Sequence, residues 1–129
     1  MSALNAILAS GATMLSLDAI YLTLRSSYHK AFFYQVQGSA LNARLLPAAI
    51  VYAIMIALVY LYAIKDATDA KDAALRGALL GALAYGFYDV TNYATLSRWT
   101  LEMTLGDILW GTMLMSAAAY VGYGFLNTK

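Results

Sequence analysis

Three aspartates stand within long apolar stretches of the chain, where an ionisable side chain is costly. They are Asp18, Asp89 and Asp107. A charged side chain at mid-bilayer costs about 2.5–3.5 kcal/mol on insertion scales, so acids inside membrane helices usually face a bundle interior and mark a function. An acid without a basic partner can bind and release a proton or a cation. The three aspartates are therefore the first candidates for an ion- or proton-binding site.

Polar and aromatic side chains share helix faces with these acids. Side chains three or four residues apart are neighbours on a helix, and each aspartate has such a neighbour three residues further along the chain. The predicted pocket consists of three such pairs: Asp18 with Tyr21, Asp89 with Asn92, and Asp107 with Trp110.

Four apolar windows are long enough to position this pocket inside a membrane. A spanning helix needs about 20 mainly apolar residues, and the windows cover residues 3–24, 45–64, 73–96 and 103–126. Each aspartate lies about 8–14 Å along its helix from the nearest charged residue at the window end, at 1.5 Å per residue. The three acids should therefore lie at similar depth in an all-α, four-helix transmembrane bundle.

Composition supports a lipid environment. Of the 129 residues, 62% are hydrophobic and 12% are charged, whereas soluble domains carry roughly 25% charge. We expect a single integral, multi-pass membrane domain over residues 1–129. The net charge of +1, with scattered Lys and Arg, gives no basic stripe for nucleic acid. Without Cys, and with His29 alone, we expect no metal site and no cofactor.

The first connection, residues 25–44, is too apolar to extend freely into water. It contains Tyr28, Phe32, Phe33 and Val36. A short helix lying in the membrane interface is one interpretation. A loop packed over the bundle is the other.

Membrane orientation should follow from Lys and Arg near the helix ends, but the two sides carry equal numbers. One side has Lys65, Lys71, Arg76 and Lys129, and the other has Arg25, Lys30, Arg44 and Arg98. This tie leaves the orientation undecided, and it is also what insertion in both orientations would show.

Small residues in the third window predict close helix packing. Gly77 and Gly81 have GxxxG spacing, and Gly86 follows Ala82 in a second small pair. Such pairs let backbones approach closely in lipid, either within the bundle, which is favoured, or across a dimer. Residues 17–21 and 88–92 are also faintly alike, and each segment is followed by an Arg. This likeness indicates a weak parallel repeat of two helix pairs.

Two interpretations of the acid pocket stay open. In the first, an arginine from a helix end snorkels inward to pair with an aspartate, and the pocket is a structural clasp. The possible partners are Arg25, Arg44 and Arg98. In the second, at least one acid lacks a basic partner and can exchange a proton or a cation.

Three groups of residues resemble a known family. They are Tyr88 to Leu96 with Trp99 following, Leu17-Asp18 with Tyr21, and Asp107 with Trp110-Gly111. Together they resemble the small membrane proteins grouped as domain of unknown function 2177, along nearly the whole chain. The resemblance implies four helices with the three aspartates as a signature, and it implies no particular activity.

The leading functional expectation is ion or proton transport through the aspartate site, in a homo-oligomer, because four helices alone rarely enclose a pore. A scaffold subunit that binds other membrane proteins is an alternative. A lipid-modifying enzyme with an acid at headgroup depth is another. A non-enzymatic role is favoured, and no residue is assigned as catalytic.

Overall fold

The computed structural model describes residues 2–126, which form helices and contain no strand. Lys129, which enters the count of charges at the helix ends, lies outside this range. There are five α-helices and one π-helical segment. They are α1 Ser2–Leu24, α2 Ser26–Gln37, α3 Leu45–Leu58 continued by the π segment Val59–Ile64, α4 Ala70–Thr95, and α5 Leu101–Leu126.

Three of the described helices are long and apolar enough to cross a membrane. They are Ser2–Leu24, Leu45–Ile64 and Leu101–Leu126. Helix α4 has 26 residues, but polar groups such as Arg76, Asp89 and Asn92 make it less apolar than the other three. The structure therefore confirms an all-helical chain with apolar helices of spanning length.

Helices α4 and α5 form a closely packed antiparallel hairpin. A Cβ at Gly81 would overlap the carbonyl oxygen of Gly111, and one at Gly77 would lie 2.8 Å from the Cβ of Ala119. Gly111 in turn accommodates the ring of Tyr85. Glycine is needed at these positions because a side chain would separate the two backbones.

Gly86 does not share this role. The nearest atom to a Cβ at Gly86 would be the Ile108 Cδ1, at 4.0 Å. That is an ordinary van der Waals distance, so the structure does not place Gly86 in the close helix contact that its spacing predicted.

Helix α1 packs along α5, from Gly122 near the C-terminal end of α5 to Trp110 nearer its start. A Cβ at Gly122 would lie 2.6 Å from the Ile64 Cδ1 and 2.9 Å from the Ser10 Cβ. Gly122 therefore marks the point where α1, the π segment and α5 meet. Buried methionine and leucine side chains fill the core beside it, including Met14, Leu114 and Met115.

Helix α3 is attached to the other helices mainly through its continuation. None of the 14 residues of α3 is fully buried, whereas Val59, Ala63 and Ile64 of the π segment are buried completely. The N–H of Lys65 donates to the carbonyl oxygen of Tyr60 at 2.9 Å, five residues back, as a π-helix requires. The wider turn directs these three side chains into the core.

A short helix is present in the first connection, as one of the two interpretations predicted. Helix α2 ends at Gly38, whose φ of 77° is left-handed and favours glycine. Its Phe32 is buried and packs edge-to-face on Trp99, with ring centroids 5.0 Å apart. Helix α2 therefore covers the turn between α4 and α5.

Candidate functional site

Asp18 joins three helices through its carboxylate. The Tyr52 hydroxyl of α3 donates to one carboxylate oxygen, and the Trp110 Nε1–H of α5 donates to the other at 3.0 Å. Asp18 itself is on α1 and is 8% exposed. Both oxygens thus have donors, as a buried polar group requires, and the bonds fix α1 to α3 and to α5.

The indole of Trp110 is held in place from its other face. The ring of Tyr21 stacks on it, with centroids 4.2 Å apart and planes 10° from parallel. Tyr21 and Trp110 were assigned to the pocket from the sequence, and both lie beside Asp18. The sequence associated Trp110 with Asp107, its neighbour along the helix, but the indole N–H is directed across to α1.

Asp89 is in a different situation. Its side chain is fully buried, and no N–H or O–H group within residues 2–126 donates to either carboxylate oxygen. The carboxyl group of Asp107, on α5, lies near enough to interact electrostatically with that of Asp89. Two acids from facing helices thus form a pair, with Asp89 buried and Asp107 partly buried.

Tyr85 is near both this acid pair and Asp18. Its phenol is within electrostatic range of Asp18, Asp89 and Asp107, and of the Tyr52 hydroxyl as well. The structure therefore brings the three predicted aspartates into one region of the molecule. They do not converge on one point, because Asp18 bonds to Tyr52 and Trp110 while Asp89 faces Asp107.

The remaining polar residue of the predicted pocket is at its edge. The side chain of Asn92 lies near the Tyr88 hydroxyl, and it does not donate to Asp89. Asn92 therefore does not supply the donor that Asp89 lacks.

The arginines considered as partners are not paired with these acids. In the described part of the chain, the ion pair within 4.0 Å joins Arg76 to Asp72 at 2.9 Å. The guanidinium of Arg25 lies over the ring of Tyr28, 4.4 Å from its centroid, and Arg44 and Arg98 are exposed. Asp18 is held by neutral donors, and no basic side chain of residues 2–126 lies within 4.0 Å of the acid pair.

An apolar cleft of about 380 Å³ opens beside the acid pair, between α3 and the α4–α5 hairpin. Asp107 is the acidic residue in its wall. The other lining residues are Val51, Met55, Leu58, Ala84, Tyr85, Tyr88 and Met115. Among residues 2–126, no group of three acidic, His or Cys side chains is arranged to hold a metal ion.

Two tyrosines were left out of the site predicted from the sequence. Tyr85 is four residues before Asp89 and shares its helix face, so its spacing was a usable signal. Tyr52 belongs to a helix that carries no acid, and it lies 34 residues from Asp18 in sequence. Its one signal was a hydroxyl within a largely apolar window, which Tyr60 and Tyr62 of the same window also carry.

Comparison with known proteins gives a family for the chain. No curated protein and no solved structure matches it. A family described as "Predicted membrane protein (DUF2177)" matches residues 3–124. The match covers nearly the whole chain and includes all three aspartates, so the chain belongs to the DUF2177 family of predicted membrane proteins.

Proposed function

We propose that this protein moves protons or small cations across a membrane, with the Asp89–Asp107 pair as the exchanging site. The observation that carries the proposal is the fully buried Asp89 carboxyl group, which has no N–H or O–H donor in residues 2–126 and faces a second acid. A buried carboxyl group without a donor costs free energy. A proton or a cation between the two acids removes that cost.

A shared proton fits the geometry of the pair. Two carboxylates side by side cannot easily both be ionised, and they commonly hold one proton between them. That proton gives one acid the O–H donor and leaves the other as its acceptor. Asp107 also borders the open cleft, so of the two acids it is the one that an exchanging partner can reach.

Asp18 has a different role in this proposal. Both its carboxylate oxygens already accept hydrogen bonds, from Tyr52 and Trp110, so the group needs no added proton to complete its hydrogen bonding. It holds the helices that surround the exchanging pair. Of the two interpretations of the pocket, a clasp suits Asp18, although with neutral donors, and an exchange site suits Asp89 and Asp107.

The proposal includes four spans. Helix α4 packs antiparallel on α5 from Gly77 to Asp89, so a membrane crossed by α5 also surrounds α4. Helix α2 then lies at the interface on the side of the α4–α5 turn, where its Phe32 contacts Trp99. The cleft is on one flank rather than along a central axis, so we propose that a homo-oligomer completes the pathway through the membrane without covering the mouth of the cleft.

Flux through proteoliposomes tests the proposal. Purified protein is reconstituted with a trapped pH-sensitive dye, and a pH gradient is imposed with and without valinomycin and K⁺. Wild-type protein should dissipate the gradient. Asp89→Asn should fold normally, because its amide can donate to Asp107, but should lower the rate at least about tenfold because the exchangeable proton is gone.

Asp66→Asn is the matched control, because Asp66 is exposed in the connection between the π segment and α4. It should retain wild-type flux. Equal flux in Asp89→Asn and wild type, with equal melting temperatures, would reject the proposal. If no variant conducts and a fixed partner co-purifies, the scaffold function is favoured instead.

A further inference from the structure

We propose that the cleft beside Asp107 binds a hydrophobic organic cation, which competes with the proton for the acid pair. This inference rests on the proposed function, because it uses the same two acids and names the class of substrate that they would exchange for a proton. The occupant is a monovalent cation with an apolar body, such as a lipophilic quaternary ammonium or phosphonium ion.

The volume and lining of the cleft fit such a molecule. Its volume of about 380 Å³ is within the range of about 300–1,000 Å³ found for small-molecule sites. Aliphatic and thioether groups from three helices form most of its wall, among them Val51, Met55 and Met115. Such a surface removes an apolar body from water and gives no hydrogen bonds to a hydrated inorganic ion.

Charge complementarity selects a cation. Asp107 is the charged residue in the wall, the buried Asp89 lies behind it without a donor, and no basic side chain within residues 2–126 pairs with either. The rings of Tyr85 and Tyr88 also line the cleft, and aromatic faces attract cations. An anion would meet only repulsion at Asp107.

The cleft is open at the side of the molecule. Val51 and Tyr88, which border it on α3 and α4, are 52% and 51% exposed. Both residues are on helices that we propose to span the membrane, so the opening faces lipid. A lipophilic cation dissolved in the bilayer can therefore reach the acid from the side.

Competition with the proton follows from the shared site. The titratable groups that face it are Asp89, Tyr85 and Tyr88 from α4, Asp107 from α5, Asp18 and Tyr21 from α1, and Tyr52 from α3. Asp18 keeps its two donors, so the exchangeable proton is the one held between Asp89 and Asp107. When one bound cation displaces that proton, cation affinity rises with pH by up to about tenfold per pH unit.

Binding of tetraphenylphosphonium to detergent-purified protein tests the inference, with tetraphenylborate as a control of the same shape and opposite charge. Equilibrium dialysis at pH 6, 7 and 8 should show saturable phosphonium binding that tightens with pH and no specific borate binding. Asp107→Asn should weaken phosphonium binding at least about tenfold, since the charge contact is lost. Asp107→Glu should restore it, and Asp66→Asn should match wild type.

A second variant tests the location without touching an acid. Val51→Trp places a bulky ring at the exposed mouth of the cleft and should weaken phosphonium binding while the melting temperature is retained. Equal binding of the two probes, or unchanged phosphonium binding in both Asp107→Asn and Val51→Trp, would overturn the inference. Proton flux without phosphonium binding would reject the hydrophobic cation alone, and phosphonium binding without flux would reject transport alone.

Discussion

At the scale of single residues, the three aspartates differ in what their carboxyl groups contact. Asp18 accepts from Tyr52 and Trp110, whereas Asp89 has no N–H or O–H donor in residues 2–126. The sequence indicated all three acids as candidates because an ionisable residue in an apolar window is conspicuous. It could not separate their roles, because the deciding partners come from other helices and helix periodicity reports only neighbours on the same helix.

Tyr52→Phe tests the role of Asp18 as a joint between helices. The substitution removes one donor and leaves a nearly buried carboxylate oxygen unsatisfied, which should lower the free energy of unfolding by about 1–3 kcal/mol. Thermal unfolding in detergent, followed by Trp fluorescence, measures the loss. Tyr62→Phe is the control, because Tyr62 is 65% exposed, and it should change stability by less than about 0.5 kcal/mol. Equal melting temperatures for the two variants would show that the Tyr52 bond contributes no stability.

At the scale of helices, the apolar windows predicted most of the architecture. The windows 3–24, 45–64 and 103–126 correspond to Ser2–Leu24, Leu45–Ile64 and Leu101–Leu126, because length and hydropathy are summed properties that a single chain displays. The π segment could not be predicted. It depends on how the end of one helix fits against three others, as at the contact of Ile64 with Gly122.

Two glycines of α4 with different surroundings provide a matched test of helix packing. In Gly81→Ala the new methyl would overlap the backbone of Gly111, and overpacking of this kind costs about 1–3 kcal/mol. In Gly86→Ala the methyl makes only an ordinary van der Waals contact, 4.0 Å from the Ile108 Cδ1, and the better helix propensity of alanine should stabilise the protein by up to about 1 kcal/mol. Melting temperatures of the two variants should therefore move in opposite directions. A shift of the same sign would contradict the packing described for this hairpin.

At the scale of the whole molecule, the number of membrane crossings is the main open expectation. Equal Lys and Arg counts on the two sides removed the usual sequence signal for orientation, and the polar residues of α4 weakened its hydropathy. The contact of Trp99 with Phe32 places the α4–α5 turn beside the first connection. Four spans therefore predict that residues near Ser39 and Ser97 lie on one side of the membrane and Thr68 on the other.

Single cysteines at these three positions test the topology, since the natural sequence contains none. All three positions are exposed. A membrane-impermeant maleimide applied to intact cells should label either both Ser39→Cys and Ser97→Cys, or Thr68→Cys alone. Labelling of Thr68→Cys together with Ser97→Cys, and opposite to Ser39→Cys, would mean that α4 does not cross. Partial labelling of all three would indicate insertion in both orientations.

The uneven attachment of α3 has a mechanical consequence for the cleft. One wall is the rigid α4–α5 hairpin, while the other is a helix anchored firmly at its π-helical end and elsewhere mainly by contacts with α1, such as Tyr52 with Asp18. Such a helix can swing about its anchored end and widen the cleft by breaking the Tyr52–Asp18 bond while the core stays intact, because none of its 14 residues is fully buried. Spin labels at Ala49 and Leu109 should therefore give a broader distance distribution than labels at Leu83 and Leu109, all three sites being exposed. Distributions of equal width would mean that α3 is as rigid as the hairpin. A wall of the cleft that moves with α3 would let one small bundle admit cations of different sizes.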